Sequence, residues 1–273
     1  MNEPLVINVE DAAAIAFNKQ AVVFDKLYGS DAMTGYKRER VRNHVCKYLS
    51  PGSHILELNA GTGEDAIFFA RQGHKVHATD ISTEMQQNSI QKTWQYGLHE
   101  RISHEICSFN HLEKLSARGP YDLLFSNFAG LNCTPALGKV LQSMDELVKP
   151  GGLVTLVLLP KFCLWEVLML FRGKFKTALR RFSGSKGARA HIDGVYFRCW
   201  YYNPSFVRKH LPSTFSVVGL EGMNTWLPPS YLTLFEEKYP KLYRFLERNE
   251  DRYRYSWPWR NIGDYYIITL RKN

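Results

Sequence analysis

Apolar and polar positions follow two rhythms along the first 160 residues. Short apolar runs stand at 54–59, 75–79, 101–107, 121–126 and 153–159, and apolar residues spaced three or four apart fill the stretches between them. Runs of that length, apolar on both sides, suit strands buried on both faces, whereas the intervening spacing suits helices. In 135–147, for example, Leu137, Val140, Leu141, Met144 and Leu147 recur at helical steps. Ser82 is suited to cap the helix after the second run, with Glu84 in its first turn. Pro51-Gly52 and Pro150-Gly151-Gly152 punctuate the entries to the first and fifth runs. Strands alternating with helices predict an α/β chain with a doubly wound, mostly parallel sheet. Two helical patterns, 9–28 and about 35–49, precede the first strand and could cap one edge or mouth of that sheet.

After residue 160 the regularity lapses. Residues 160–200 form an insertion with an apolar helix-like piece (Leu164 to Phe171), a basic stretch and an aromatic segment from Tyr196 to Tyr202. A helix at 204–211 and a strand at 214–220 resume the alternation. A second insertion, 221–262, holds Trp226-Leu227-Pro228-Pro229 and an amphipathic helix near 231–248, and a strand at 264–270 brings the expected count to seven. No repeat or low-complexity linker interrupts the chain. One domain over 1–273 is therefore expected, with cap helices in 1–50, a core at 51–160 and lid insertions at 161–200 and 221–262.

The first run ends in Ile55-Leu56-Glu57-Leu58-Asn59-Ala60-Gly61-Thr62-Gly63 and passes straight into a helical pattern. A strand, a tight small-residue turn and a helix N-terminus let backbone approach a ligand closely. Asp80 closes the second strand, where a carboxylate can meet the two hydroxyls of a ribose. With this turn, Asp80-Ile81-Ser82, Tyr121-Asp122-Leu123-Leu124 and Leu147-Val148-Lys149-Pro150-Gly151-Gly152 resemble, in order, the motifs of class I S-adenosylmethionine-dependent methyltransferases. The resemblance covers about residues 17–160, with 201–220 and 263–271 more loosely. It implies a Rossmann-like methyltransferase fold with S-adenosylmethionine as cofactor and S-adenosylhomocysteine as product. By position it places Glu57 near the methionine ammonium, Ala60, Gly61 and Gly63 under the cofactor, Asp80 on the ribose and Ile81 on the adenine. It also sets Asn127 and Phe128 at the sulfonium end, with Tyr28 and Tyr36 in the N-terminal region that closes over the cofactor.

Two positions depart from the family pattern. Asn59 stands where a glycine is usual, and Asn tolerates a left-handed backbone better than most residues. At the third strand end, Ser108 and Phe109 stand where many relatives carry an acid for the adenine amino group. The competing cofactor is NAD, because Ala66 three residues after Gly63 permits a variant of the dinucleotide fingerprint. The Pro-Gly-Gly turn and an antiparallel-looking last strand favour the methyltransferase layout.

Composition and charge narrow the partners. The five cysteines (Cys46, Cys107, Cys133, Cys163, Cys199) form no C-x-x-C pair, so neither a metal site nor a disulfide framework is expected. Met1-Asn2-Glu3-Pro4 carries no basic, apolar leader, and Pro160, Lys161 and Glu166 interrupt the best candidate membrane span, which points to the cytoplasm. A formal charge of +9 permits nucleic acid, anionic lipid or an acidic small molecule and selects none. The 172–189 stretch has Arg172, Lys174, Lys176, Arg180, Arg181, Lys186 and Arg189 without an acid. Behind an apolar helix, it suits peripheral membrane contact through 164–189, or a mobile solvated lid. His191, in the insertion expected over the site, is the candidate general base. The aromatic clusters Tyr196, Phe197, Trp200, Tyr201, Tyr202 and Trp226, Tyr231, Trp257, Trp259 suit an apolar pocket, or simply a core.

The expected function is methyl transfer to a small, apolar or aromatic molecule. An RNA or protein methyltransferase docking through the basic stretch is the alternative. No D/N-P-P-Y motif or RNA module supports nucleic acid. A methyltransferase-like protein that binds the cofactor without turnover is a third reading, supported by Ser108. Oligomeric state is not legible.

Overall fold

The computed structural model describes residues 9–29, 31–229, 232 and 235–273. The leader reading of residues 1–4 and the place of Tyr231 among the aromatics fall outside them. Two helices, α1 (Val9–Tyr28) and α2 (Ala32–Cys46), lead into β1 (His54–Leu58), α3 (Glu64–Arg71), β2 (Lys75–Asp80), α4 (Thr83–Gln95) and β3 (Ile102–Ile106). Then follow β4 (Tyr121–Ser126), α5 (Leu137–Ser143) and β5 (Val148–Leu158). The first insertion holds α6 (Leu164–Leu168), α7 (Phe175–Leu179) and a hairpin of β6 (Ala188–Ile192) and β7 (Val195–Cys199). The chain closes with α8 (Pro204–His210), β8 (Phe215–Met223), α9 (Phe235–Lys238), α10 (Pro240–Tyr253) and β9 (Tyr265–Lys272).

Seven strands make one sheet in the order β3-β2-β1-β4-β5-β9-β8. The first five are mutually parallel, and β9 inserts antiparallel between β5 and β8. Strand periodicity sorts the core into two layers. Leu56, Leu58, Leu124, Leu156 and Leu158 face α5, where Leu137, Val140 and Leu141 meet them. Ile55, Leu123, Phe125 and Val157 face the other way, against Val41 and Val45 of α2 and Ala66, Ile67, Phe69 and Ala70 of α3. This doubly wound, mostly parallel sheet agrees with the alternation of apolar runs and helical spacing.

The 160–200 insertion differs from its expected outline. Its aromatic segment begins in β7 of the hairpin, and its helix-like piece is α6 with a following 3-10 turn, tied by an ion cluster to the end of α7 in the basic stretch. Buried Arg181 donates to Glu166 Oε1 at 2.6 Å and to Asp264 Oδ1 at 2.6 Å, and Arg180 reaches Glu166 Oε2 at 2.8 Å. Cys163, Glu166 and Asp264 lie close enough together to suggest a metal cage, but the Arg181 guanidinium already occupies the two carboxylates. Of the aromatics, Trp200, Tyr201 and Tyr202 are buried and Phe197 packs on α1, whereas Trp257 is exposed. No helix among the described residues is long and apolar enough to cross a membrane.

Candidate active site

The carboxyl ends of β1, β2 and β4 meet where the strand order reverses, the usual place for a ligand in an open α/β sheet. The turn after β1 is built to stay open. Gly63 has φ +77°, and a Cβ there would lie 2.1 Å from Ser89 Oγ of α4, so only glycine fits. Asn59 takes φ 47°, the left-handed conformation required where a glycine is usual. Its side chain also ties two strand ends: Nδ2 donates to Asn127 O at 2.9 Å, and Oδ1 accepts from Ser126 Oγ at 2.6 Å. A glycine could make neither bond.

Gly61, Asp80, Ile81, Phe109, Asn127 and Phe128 line one cleft, together with Glu10, Phe17 and Phe24 of α1 and Cys107 and Cys133. Asp80 is oriented by backbone: Gly61 N–H donates to Oδ2 and Ser82 N–H to Oδ1, each at 2.8 Å. Burial raises its pKa against those N–H donors. Glu57 is buried beneath the turn, and its Oε2 has no hydrogen-bond partner in the structure. Burial, with Asp65 and Asp80 nearby, pushes this carboxyl well above the usual range, while Arg42 opposes the shift. Asp65 itself holds Arg42 Nε at 2.7 Å and accepts from Asn127 Nδ2 at 2.7 Å. A buried, partnerless carboxylate oxygen among other acids is a place for a cation.

The α1 helix lies across this cleft. Thr62 Oγ1 donates to Asp25 Oδ1 at 2.6 Å, Ser82 Oγ to Asn18 Oδ1 at 2.6 Å, and Asn88 Nδ2 to Ala21 O at 2.9 Å. Ser108 Oγ donates to Glu10 Oε1. A carboxylate therefore does stand at the third strand end, brought by the N-terminal helix rather than by the strand. Sequence inspection missed Glu10, Phe17 and Phe24, since nothing local in α1 shows which strand end its face will meet.

The remaining sequence candidates separate. Ala60 packs against the core under the turn. Tyr28, whose Oη accepts from Gln20 Nε2 at 3.2 Å, lines a second cavity that shares Phe17, Phe24 and Phe128 with the first. Tyr36 points elsewhere, with the Arg40 guanidinium 5.6 Å over its ring and Glu250 and Tyr243 close by. His191 is exposed and packs on Tyr196, ring centroids 4.5 Å apart, on the outer face of the hairpin. Its neighbours Ala190 and Ile192 face α1 instead, because side chains alternate along a strand. No histidine stands among the described residues lining either cavity.

Residues 55–152 match the family model described as a methyltransferase domain. An uncharacterized methyltransferase of Synechocystis is 28% identical over 137 residues, 47% of this chain and 59% of that protein. The chain thus spans little more than half the length of that relative. Among solved structures, the phosphoethanolamine N-methyltransferase 2 of Haemonchus contortus, with S-adenosylhomocysteine and phosphomonomethylethanolamine, superposes with TM-score 0.63 at 14% identity. That likeness covers 99% of this chain and 61% of that one. The 4+2 cyclase SpnF gives TM-score 0.63 at 14% identity, covering 98% and 97% of the two chains. Residues 55–152 thus match a methyltransferase domain, and the sheet around them has the fold of these solved structures. Because a cyclase shares the fold, the reaction has to be argued from the site.

Proposed function

We propose that this protein transfers a methyl group from S-adenosylmethionine to a small molecule. The partnerless oxygen of buried Glu57 carries the reading, because it asks for a cationic ligand next to a carboxylate suited to a ribose. In this reading Glu57 holds the methionine ammonium and Asp80 the ribose hydroxyls, while Gly61 and Gly63 allow close approach. Ile81 and Phe109 sandwich the adenine, with the Glu10–Ser108 pair at its amino edge in place of the usual acid. The cofactor supplies a methyl group already activated by its sulfonium. The chain then has to orient a nucleophile beyond Phe128 and keep water out, tasks for α1 and the aromatic walls. With His191 facing outward, the site suits a nucleophile that needs positioning rather than deprotonation by an imidazole.

Macromolecular docking through 172–189 is less supported, since Arg180 and Arg181 are engaged within the fold. The outer face of that segment suits an anionic membrane surface instead. Phe171, Phe175, Leu179 and Phe182 are exposed there, Phe171 to 88%, beside exposed Arg172, Lys174 and Lys176.

Calorimetric titration of S-adenosylhomocysteine tests the central reading. A cation binding at Glu57 needs that group ionised, and its pKa in the free protein is raised. Affinity should therefore rise with pH from the usual carboxylate range toward neutrality, with protons released on binding. Ligand-free stability should run the opposite way, falling with pH over the same window, because the folded state there holds the proton more tightly than the unfolded chain. Glu57→Gln should flatten both profiles, and Asp80→Ala should weaken binding by roughly 100-fold. No heat with S-adenosylhomocysteine, and saturation with NAD, would end the proposal.

A further inference from the structure

The cavity beyond the shared aromatic wall is lined by Phe17, Gln20, Phe24, Tyr28, Thr34, Lys37, Arg38, Phe128, Ile192 and Tyr265 and has a volume of about 310 Å³. Its charge is opposite to that of the cofactor cleft. Two cations face it, and no carboxylate stands among its described lining residues. Lys37 is buried, with its ammonium 4.8 Å over the Tyr265 ring and 3.6 Å from Asp264 Oδ2. The Asp264 carboxylate also takes Arg181 at 2.6 Å, so it is shared between two cations. Arg38 lies 5.6 Å over the Phe128 ring, and its buried Nε has no hydrogen-bond partner in the structure. A buried guanidinium N–H without an acceptor, beside a second cation, is costly unless a ligand oxygen fills the gap. Gln20, Thr34 and Tyr28 add neutral polar groups, and burial next to Asp264 raises the Tyr265 pKa so that its hydroxyl stays protonated.

We propose that this cavity is the acceptor site and that it selects a small anion, a carboxylate or phosphate on an apolar or aromatic body, gripped by Arg38 and Lys37. The inference rests on the methyltransferase reading and sharpens its substrate class. The aromatic walls take the body of the molecule. The two cations anchor its charged end and hold the nucleophile toward Phe128, the wall shared with the cofactor cleft. The charge pattern is also coherent across the two cavities: acids receive a cationic cofactor and bases an anionic acceptor.

Benzoate, phenyl phosphate and neutral benzamide, titrated by calorimetry into protein saturated with S-adenosylhomocysteine, provide the test. Binding of either anion, with benzamide weaker by about 10- to 100-fold, is expected from loss of a charge-assisted contact. A preference between benzoate and phenyl phosphate identifies which anion the site takes. Arg38→Gln should weaken the preferred anion by a similar factor, leave S-adenosylhomocysteine affinity unchanged, and be partly rescued by Arg38→Lys. If S-adenosylhomocysteine binds but benzamide equals the anions, or Arg38→Gln changes nothing, the anion assignment is wrong while the methyltransferase reading survives. If S-adenosylhomocysteine itself does not bind, the broader reading fails first.

Discussion

The cleft at the strand ends and the cavity behind Phe128 share three aromatic walls, yet they are built by opposite means. The cleft comes from backbone turns and side chains at successive strand ends, all within residues 59–133 apart from the α1 cover. The second cavity draws side chains from α1, α2, the loop after β4, the β6–β7 hairpin and β9, which lie far apart in sequence. One region therefore depends on local conformation. The other depends on how distant elements dock, and above all on what holds the 160–200 insertion to the sheet. A shared fold can keep the first constant while the second changes its chemistry, which fits a methyltransferase and a cyclase having one architecture.

The sharpest way to break this contrast is at the anchor of the 160–200 insertion. Replacing Arg181 with Met leaves buried Glu166 and Asp264 short of a partner and should cost about 3–5 kcal/mol. The loss should fall on the insertion: limited proteolysis should cut 160–200 sooner, while S-adenosylhomocysteine binding survives. Equal loss of both would mean the two regions are one cooperative unit. Gly63→Ala attacks the other side. Strain at φ +77° and the clash with Ser89 should together cost about 2–4 kcal/mol, read by denaturant unfolding, and cofactor binding should go with it. A variant that binds S-adenosylhomocysteine normally would show that the turn is less constrained than its geometry says. The smallest effect concerns the outer face of that insertion. Changing Phe171, Phe175 and Phe182 together to Ser should reduce co-sedimentation with vesicles rich in anionic lipid by about tenfold, with stability and cofactor affinity unaltered. Wild-type protein that ignores such vesicles would remove the membrane from the account.

Much of the cleft was legible in the chain. Gly61, Asp80 and the post-β4 pair Asn127-Phe128 line it and buried Glu57 lies close by, all near strand ends, and a strand end can be read from a local pattern. Tyr36 and His191 could not be placed the same way. A residue on a helix or hairpin has a definite face, but which partner that face meets is a tertiary fact. A one-residue difference decides the matter in the hairpin, where Ile192 faces α1 and the second cavity and His191 faces solvent. The partners of the basic stretch are a tertiary fact for the same reason. It contains no acid, yet Arg180 and Arg181 find Glu166 and Asp264 from outside it.

The sequence by itself determined the alternation of strands and helices, the left-handed turn that Asn59 and Gly63 accept, and the family of cofactor. Those features rest on short-range sterics and periodicity, which act within a few residues. Only the tertiary structure decided that Glu10 meets Ser108 in place of the missing acid, that Glu57 keeps an unsatisfied oxygen, and that Lys37 and Arg38 converge on one cavity. Those features depend on long-range packing, where burial sets the electrostatics and no local pattern records which groups will be buried together.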